Sequence, residues 1–520
     1  MDDKCKFRRR LGIQVLSRLG KRISILHTFK SQETKRGLDS TGMNCYLSKF
    51  NYHRLVEYNP LKEKNKRKKL WLVGIAAGLL LLPLLWLLLV RLEGQKPVII
   101  FELASPFIGK SHEFSVSLED KKSGLRKIWI AMIKNGKEVV LIDEALPSAG
   151  VFSGGEVKTK TLNITFEPKK FEFSDGKAII RMAVWDYSWR GWWQGNQIYV
   201  EKNVIIDTRP PEIEVISRAH NVTQGGAGLV IYRTSEDSHQ SGIQVGDNFF
   251  PGHAGYFKDP RILLAFIGLG YQQGPGTQIM VKAVDKAGNA AKAGVNHHIR
   301  KKAFKNDKIR ISDRFLSWKV PELENEITVA ATASPVDKFI KINRELRQAN
   351  YQQITALVEK TATTKYWGGM FLRMRGANQA GFADHRVYNY QGKIIDRQVH
   401  LGMDIASVKQ APVPAANSGI VIFSGSLGIY GKTIILDHGF GLFSMYAHLN
   451  RSDVSEGQQM SKGDVLGRTG STGLAGGDHL HFSMLVHNTF VNPVEWWDAA
   501  WIKNNILSKI EAVPSAPALK

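Results

Sequence analysis

Three patterns predict a mainly β chain carried on one N-terminal transmembrane helix. A single uncharged run, Leu70 to Val90, interrupts an otherwise polar N-terminal region. From about 97 to 300, short β-branched and aromatic runs alternate with Gly, Asp, Asn and Pro, the signature of half-buried strands joined by turns. From about 381 to 498, glycine is dense and strand-like sequence surrounds a set of histidines. The expected order is a basic head (1–69), the membrane span (70–90) and two β-sandwich modules (97–206 and 207–300). A linker with a helical connector (301–380), an antiparallel-β domain (381–498) and a short tail (499–520) complete it.

The span comes first because charge marks it. The chain has 71 Lys and Arg against 47 Asp and Glu, a net charge of +24. Through Lys69 there are 19 basic and 6 acidic residues, so the first seventh of the chain holds +13 of that excess. At ~1.5 Å per residue, Leu70 to Val90 would cover roughly 31 Å, the hydrocarbon thickness of a bilayer. Pro83, costly in a soluble helix, is tolerated in a membrane. A buried core helix would rarely run so far without a charge. A cleavable signal peptide would be shorter and end in a small-x-small site, which Val90-Arg91-Leu92-Glu93-Gly94 lacks. Lys62, Lys64, Lys66, Arg67, Lys68 and Lys69 precede the span, whereas Arg91 and Lys96 follow it. The positive-inside bias therefore expects a cytoplasmic N-terminus and an exported remainder, in the periplasm or cell envelope of a single-pass inner-membrane protein. Cys5 and Cys45 both fall in the head, so the exported part needs no disulfide. Met43 offers an alternative start with a shorter head.

Within 97–300, Lys127-Ile-Trp-Ile-Ala-Met-Ile and Ile213-Glu-Val-Ile alternate as strands do. Ser123-Gly124-Leu125 is echoed by Ser241-Gly242-Ile243, and Ala183-Val184-Trp185-Asp186 by Ala283-Val284-Asp285. Two units of roughly a hundred residues follow, divided at Asp207-Thr-Arg-Pro-Pro211, since paired prolines do not join a central strand. The late Ala-x-Asp-x-x-Gly-Asn turn resembles that of bacterial immunoglobulin-like sandwiches, which implies spacer or substrate-presenting modules. Trp185, Trp189, Trp192 and Trp193 crowd one stretch, either as a sugar platform or as rings closing the end of a sandwich, the commoner arrangement. His297 and His298, being adjacent, point to opposite faces of a strand and make a poor metal pair. In the connector, Ser334-Pro335-Val336-Asp337 reads as an N-cap followed by proline in the first turn. Phe339, Ile342, Leu346, Ile354 and Leu357 continue a helical apolar stripe that should pack on its own domain.

The chemistry lies in 381–498. His400-Leu-Gly-Met-Asp404 sets an imidazole and a carboxylate four apart; Tyr446-Ala-His448 and His479-Leu-His481 add three more imidazoles. On a strand, positions 479 and 481 share a face, so both can reach one site. A catalytic zinc ion takes three N or O ligands and leaves one position for water, a requirement that His400, Asp404 and His481 would fill. The remaining two histidines would then take a proton or donate to an oxyanion. Absence of cysteine from the exported part excludes thiolate chemistry there, and no His-Glu-x-x-His is present.

These motifs closely resemble the lysostaphin and LytM-type family of zinc endopeptidases, which cut the peptide part of peptidoglycan. The resemblance runs from Phe382-Ala-Asp-His-Arg386-Val-Tyr388 through His400-Leu-Gly-Met-Asp404 and Ala411-Pro-Val413. It continues through Asp437-His-Gly439, Tyr446-Ala-His448-Leu449 and His479-Leu-His481-Phe482 to Val491-Asn-Pro493. It implies zinc on His400, Asp404 and His481, a catalytic pair in His448 and His479, and a shallow groove between hairpins. His438, in the Asp-His-Gly turn, is expected to be a strand-end residue and no ligand. The implied protein is a membrane-anchored peptidoglycan hydrolase, with peptidoglycan peptide and the membrane as partners. A catalytically silent wall-binding or hydrolase-activating protein is the alternative, which usually loses ligands that are all present here. Nucleic-acid binding is not expected, because the densest basic run is juxtamembrane.

Overall fold

A computed structural model describes residues 60–513 except 104, 236–238 and 331. Residues 1–59 of the basic head, with both cysteines and Met43, and the last residues of the tail lie outside the described residues. One helix runs from Pro60 to Arg91 and contains the whole apolar run, with Pro83 inside it. By length and composition, Lys68–Arg91 is sufficient to cross a membrane, and none of its most apolar stretch is buried by protein.

Between 98 and 206 the chain forms a three-stranded and a five-stranded sheet. Strand His112–Glu119 buries Phe114, Val116 and Leu118, every second residue, against Ile130 and Ile180 from the other sheet. The hairpin from Leu125–Lys134 to Lys137–Ala145 turns at Asn135-Gly136, both with positive φ (50° and 78°), as a two-residue turn with right-handed strand twist requires. Of the four tryptophans, Trp185 and Trp189 are half-buried, whereas Trp192 is 94% exposed and Trp193 is also exposed.

The strands from Ile213–Val215 to His297–Arg300 do not behave as a detached spacer. Leu229, Ile231 and Phe266 share one apolar core with Tyr446, Phe482 and Trp496 of the C-terminal sheet. Phe266 lies 6.1 Å from Trp367 and 6.2 Å from Trp496, centroid to centroid. The helical connector packs on the same sheet from elsewhere. Its segments Pro335–Lys341, Ile342–Leu346 (a π-helical turn) and Arg347–Leu357 bury Phe339, Ile342, Leu346 and Ile354 in a second core. The Ser334 hydroxyl accepts from the Asp337 N–H, as an N-cap should. A further helix, Asp313–Leu323, precedes it, capped by Ser312 and burying Leu316, Val320 and Leu323.

The C-terminal sheet is antiparallel, in the order Ala377–Ala380, Met403–Ala406, Leu480–Val486, Leu442–Leu449, Lys432–Asp437, Gly419–Ser426, Gln459–Met460. Its central strands are buried along their whole length because both faces are covered. Tyr446, Phe482 and Met484 point into the core shared with the 213–300 strands. Phe443, Met445, Ala447 and Leu485 point into the core shared with the connector helices. The site opens on this second face.

Candidate active site

Adjacent strands bring the first three residues together. His400 ends strand Lys393–His400, and Asp404 and His481 are direct cross-strand partners. His400 Nε2 and His481 Nδ1 lie 2.9 Å from each other, and each lies 2.9 Å from Asp404 Oδ1. Main-chain and hydroxyl groups decide which ring nitrogens carry protons. His400 Nδ1 donates to the Gly381 carbonyl at 2.8 Å, which can only accept. Ser483 Oγ donates to the Leu401 carbonyl, so it accepts from His481 Nε2 at 3.0 Å. Neutral rings therefore turn bare nitrogens toward one another and toward a carboxylate oxygen. Three lone pairs meeting at one point call for a cation, and two imidazoles with one carboxylate suit zinc. The residues fit the metal.

Arg386 holds the second carboxylate oxygen, Nη2 to Asp404 Oδ2 at 2.8 Å, leaving Oδ1 for the centre. Burial pushes the Asp404 carboxyl up, but the neighbouring His400, His479 and His481 outweigh it and hold it well below its usual range. Burial lowers His481 to about 4, partly offset by Asp404.

His448 and His479 stand beside this trio, with ring centroids 5.0 Å apart. His448 Nδ1 donates to the Thr472 carbonyl at 2.9 Å and His479 Nδ1 to the Gly477 carbonyl at 2.8 Å, so both offer Nε2. His479 Nε2 lies 3.6 Å from Asp404 Oδ1. Full burial, reinforced by His479 and His481, drives His448 well below its ordinary value. Burial also opposes charge on His479, yet Asp404 outweighs it and raises that residue. His448 reaches the site only through an irregularity. Strict alternation would send it to the face opposite Ala447, but its φ of 61° breaks the strand, and Leu449 then falls in the core opposite Ala447.

All five residues line a groove of about 820 Å³. Sequence reasoning missed its other wall, in which the Asp313–Leu323 helix supplies Arg314, Phe315 and Trp318, and Arg310 and Arg347 lie beside them. Lys319 from that helix donates to the Ser471 carbonyl, and Glu322 accepts from the Gly473 N–H at 2.7 Å. The helix is thus tied to the loop whose Thr472 orients His448. Arg386 stood within the family-like motif without a role, and Ser483 could have been found as the residue two beyond His481 on one strand face. His438 lies outside the groove lining, its nitrogens bonded to the Ser418 carbonyl and Ser444 Oγ.

Comparison with known proteins matches residues 398–493 to peptidase family M23. DD-carboxypeptidase/endopeptidase Mpg of Neisseria meningitidis serogroup B (strain ATCC BAA-335 / MC58) is 37% identical over 97 residues, 19% of this chain and 22% of that protein. Peptidoglycan DD-endopeptidase ShyA of Vibrio cholerae is 31% identical over 96 residues, 18% of this chain and 22% of its own. The match therefore spans about a fifth of the length of these curated relatives. Among solved structures, a putative peptidase M23 from Pseudomonas aeruginosa is similar with a TM-score of 0.32 and 21% identity, over 53% of this chain and 95% of that one. The catalytic domain of lysostaphin from Staphylococcus simulans gives 0.20 and 26%, over 24% and 92%. The stretch that resembles peptidase family M23, residues 398–493, includes His400, Asp404, His448, His479 and His481.

Proposed function

We propose that this protein is a membrane-anchored zinc endopeptidase that hydrolyses peptide cross-links of peptidoglycan. The observation that carries the reading is the meeting of His400 Nε2, His481 Nδ1 and Asp404 Oδ1 at 2.9 Å on the wall of a groove, with the other nitrogen of each ring already committed. His400, Asp404 and His481 would hold zinc, which when bound supplies a Lewis acid to polarise the scissile carbonyl and acidify water. His448, kept neutral by burial, presents Nε2 to take a proton from the attacking water and return it to the leaving amine. His479, drawn toward its charged form by Asp404, donates from Nε2 toward the developing oxyanion. Arg386 keeps the Asp404 carboxylate turned to the centre.

Substrate class follows from the relatives' names and from the groove. The ShyA name supplies peptidoglycan and both names supply endopeptidase action, while Arg310, Arg314 and Arg347 on the groove wall favour a peptide bearing carboxylates. The apolar helix supports anchoring in the inner membrane with the catalytic domain on the envelope side, the N-terminus being cytoplasmic by its charge. The two β-sandwich modules connect anchor to enzyme, and the second also buttresses the catalytic sheet.

The full chain in detergent, loaded with zinc and incubated with purified sacculi, tests this by mass spectrometry of the released muropeptides. Wild-type protein should release uncross-linked peptides and His481→Ala should release none. Digestion that persisted in His481→Ala would overturn the ligand set. A zinc-loaded wild type that released nothing would overturn the peptidase reading.

A further inference from the structure

The corner where the apolar helix enters the β-sheets carries an aromatic patch that peptide hydrolysis does not use. Trp192 is 94% exposed, Phe152 67% and Trp193 58%, with Val151 exposed beside them. Trp189 links them, its ring 4.8 Å from Trp193 and 6.3 Å from Phe152. The backbone is bent to present the rings: Trp192 and Trp193 hold φ of 56° and 70°, a left-handed conformation that bulky residues rarely adopt. Arg126 Nη1 donates to the Trp193 carbonyl at 2.6 Å and keeps the segment there. A fold that needed these rings only for its core would turn them inward.

The helix end determines what faces the patch. The Trp189 N–H donates to the Arg91 carbonyl at 2.7 Å, and Arg190 Nε donates to the Leu92 carbonyl at 3.1 Å. Arg91, the last helical residue, is buried and donates from Nη2 to the Tyr187 carbonyl at 2.7 Å. Leu89 and Val90, the two residues before it, are exposed apolar residues of the span itself. The bilayer surface must therefore lie within a few residues of the rings. Indole, apolar in its body with one N–H donor, is the side chain best suited to the headgroup layer.

We infer that Val151, Phe152, Trp192 and Trp193 form a lipid contact, seated in the headgroup region of the leaflet in which the helix ends. This rests on the membrane-anchor reading and is independent of the peptidase reading. The contact adds a second point of attachment to the helix and so fixes the tilt of the first β-sandwich on the membrane.

The test uses the full chain with Cys5→Ser and Cys45→Ser, reconstituted in phosphatidylcholine–phosphatidylglycerol vesicles. Spin labels are placed through Phe152→Cys, Trp192→Cys, Leu80→Cys in the helix and Gln391→Cys on an exposed hairpin. Accessibility to oxygen relative to a water-soluble nickel chelate should place 152 and 192 between 80 and 391. Labels at 152 and 192 that match 391 while 80 reads as hydrocarbon would overturn the lipid contact and leave the anchor standing. A label at 80 that matches 391 would remove the anchor and the inference together. Shielding of 192 by soluble glycan strands but not by lipid would overturn it in favour of a sugar platform. Radical footprinting of the unsubstituted chain gives a second measure: Trp192 should be oxidised more slowly than groove residue Trp318 in vesicles, and equal rates would refute the proposal.

Discussion

Replacing Glu322 with alanine would cut the tie between the Asp313–Leu323 helix and the active-site loop. Glu322 Oε1 accepts from the Gly473 N–H and Oε2 pairs with Lys319 Nζ, both at 2.7 Å. The Lys319 side chain is 1% exposed, so its ammonium would keep the Ser471 carbonyl and the Trp318 ring face, 4.2 Å away, but no counter-charge. Breaking a fully buried pair costs about 3–5 kcal/mol. Glu322 is partly exposed, so water screens the loss, and about 2 kcal/mol remains. The orphaned Gly473 N–H adds about 1 kcal/mol. At about 2–4 °C per kcal/mol for a large domain, the melting transition of the zinc-loaded protein should fall by roughly 6–12 °C. The loop also carries the Thr472 carbonyl that orients His448, so kcat should fall by up to about 10²-fold, with zinc content unchanged. Lys319→Met, which removes the buried charge and fills its volume, should be nearly neutral alone and should recover about 2 kcal/mol in the double variant. Calorimetry and steady-state kinetics on a defined cross-linked muropeptide measure both effects. An Glu322→Ala protein that melted within about 1 °C of wild type with unchanged kcat would refute the brace, and so would absence of coupling in the double variant.

Three further outcomes are expected. Ser483→Ala removes the acceptor that fixes the His481 tautomer, so zinc affinity measured against a competing chelator should weaken about 10- to 100-fold; unchanged affinity would contradict the lone-pair argument. Glu495, whose Oε2 accepts from the Ala227 N–H, is raised to about 7 by burial, against that hydrogen bond and the pull of Lys302 and Arg300. Its folded value lies above its unfolded one, so its contribution is full below about 4.5 and is lost as pH rises through about 7, on the order of 3 kcal/mol. Glu495→Gln should therefore melt with a flatter pH profile between 5 and 8, and parallel profiles would refute the assignment. Arg314→Ala should raise KM for carboxylate-bearing peptides by about fivefold or less, with kcat intact and the difference fading in high salt; a fall in kcat alone would show that the groove wall acts otherwise.

Patterns with short periods were legible in the chain. The uncharged run at Leu70–Val90, the alternation at Lys127–Ile133, the Ser334 cap and the paired histidines at 479 and 481 each follow from a few neighbouring residues. The Asp313–Leu323 helix was not legible, because it is three turns long, contains Pro321 and buries only one narrow stripe. The dependence of the catalytic sheet on the 213–300 strands was hidden for a related reason. Central strands Leu442–Leu449 and Leu480–Val486 are buried on both faces, so their hydrophobicity does not say what covers each.

The sequence by itself determined the apolar run long enough to span a bilayer, the mainly β character and the five candidate site residues that line one groove, since residue type and local spacing suffice for those. Tertiary structure decided how they meet. It turned His448 into the site through one left-handed backbone angle, gave each imidazole a partner for its other nitrogen, and set Lys319 against Ser471, 152 residues away. Local periodicity reports which face of an element is apolar; it does not report what another part of the chain brings to that face.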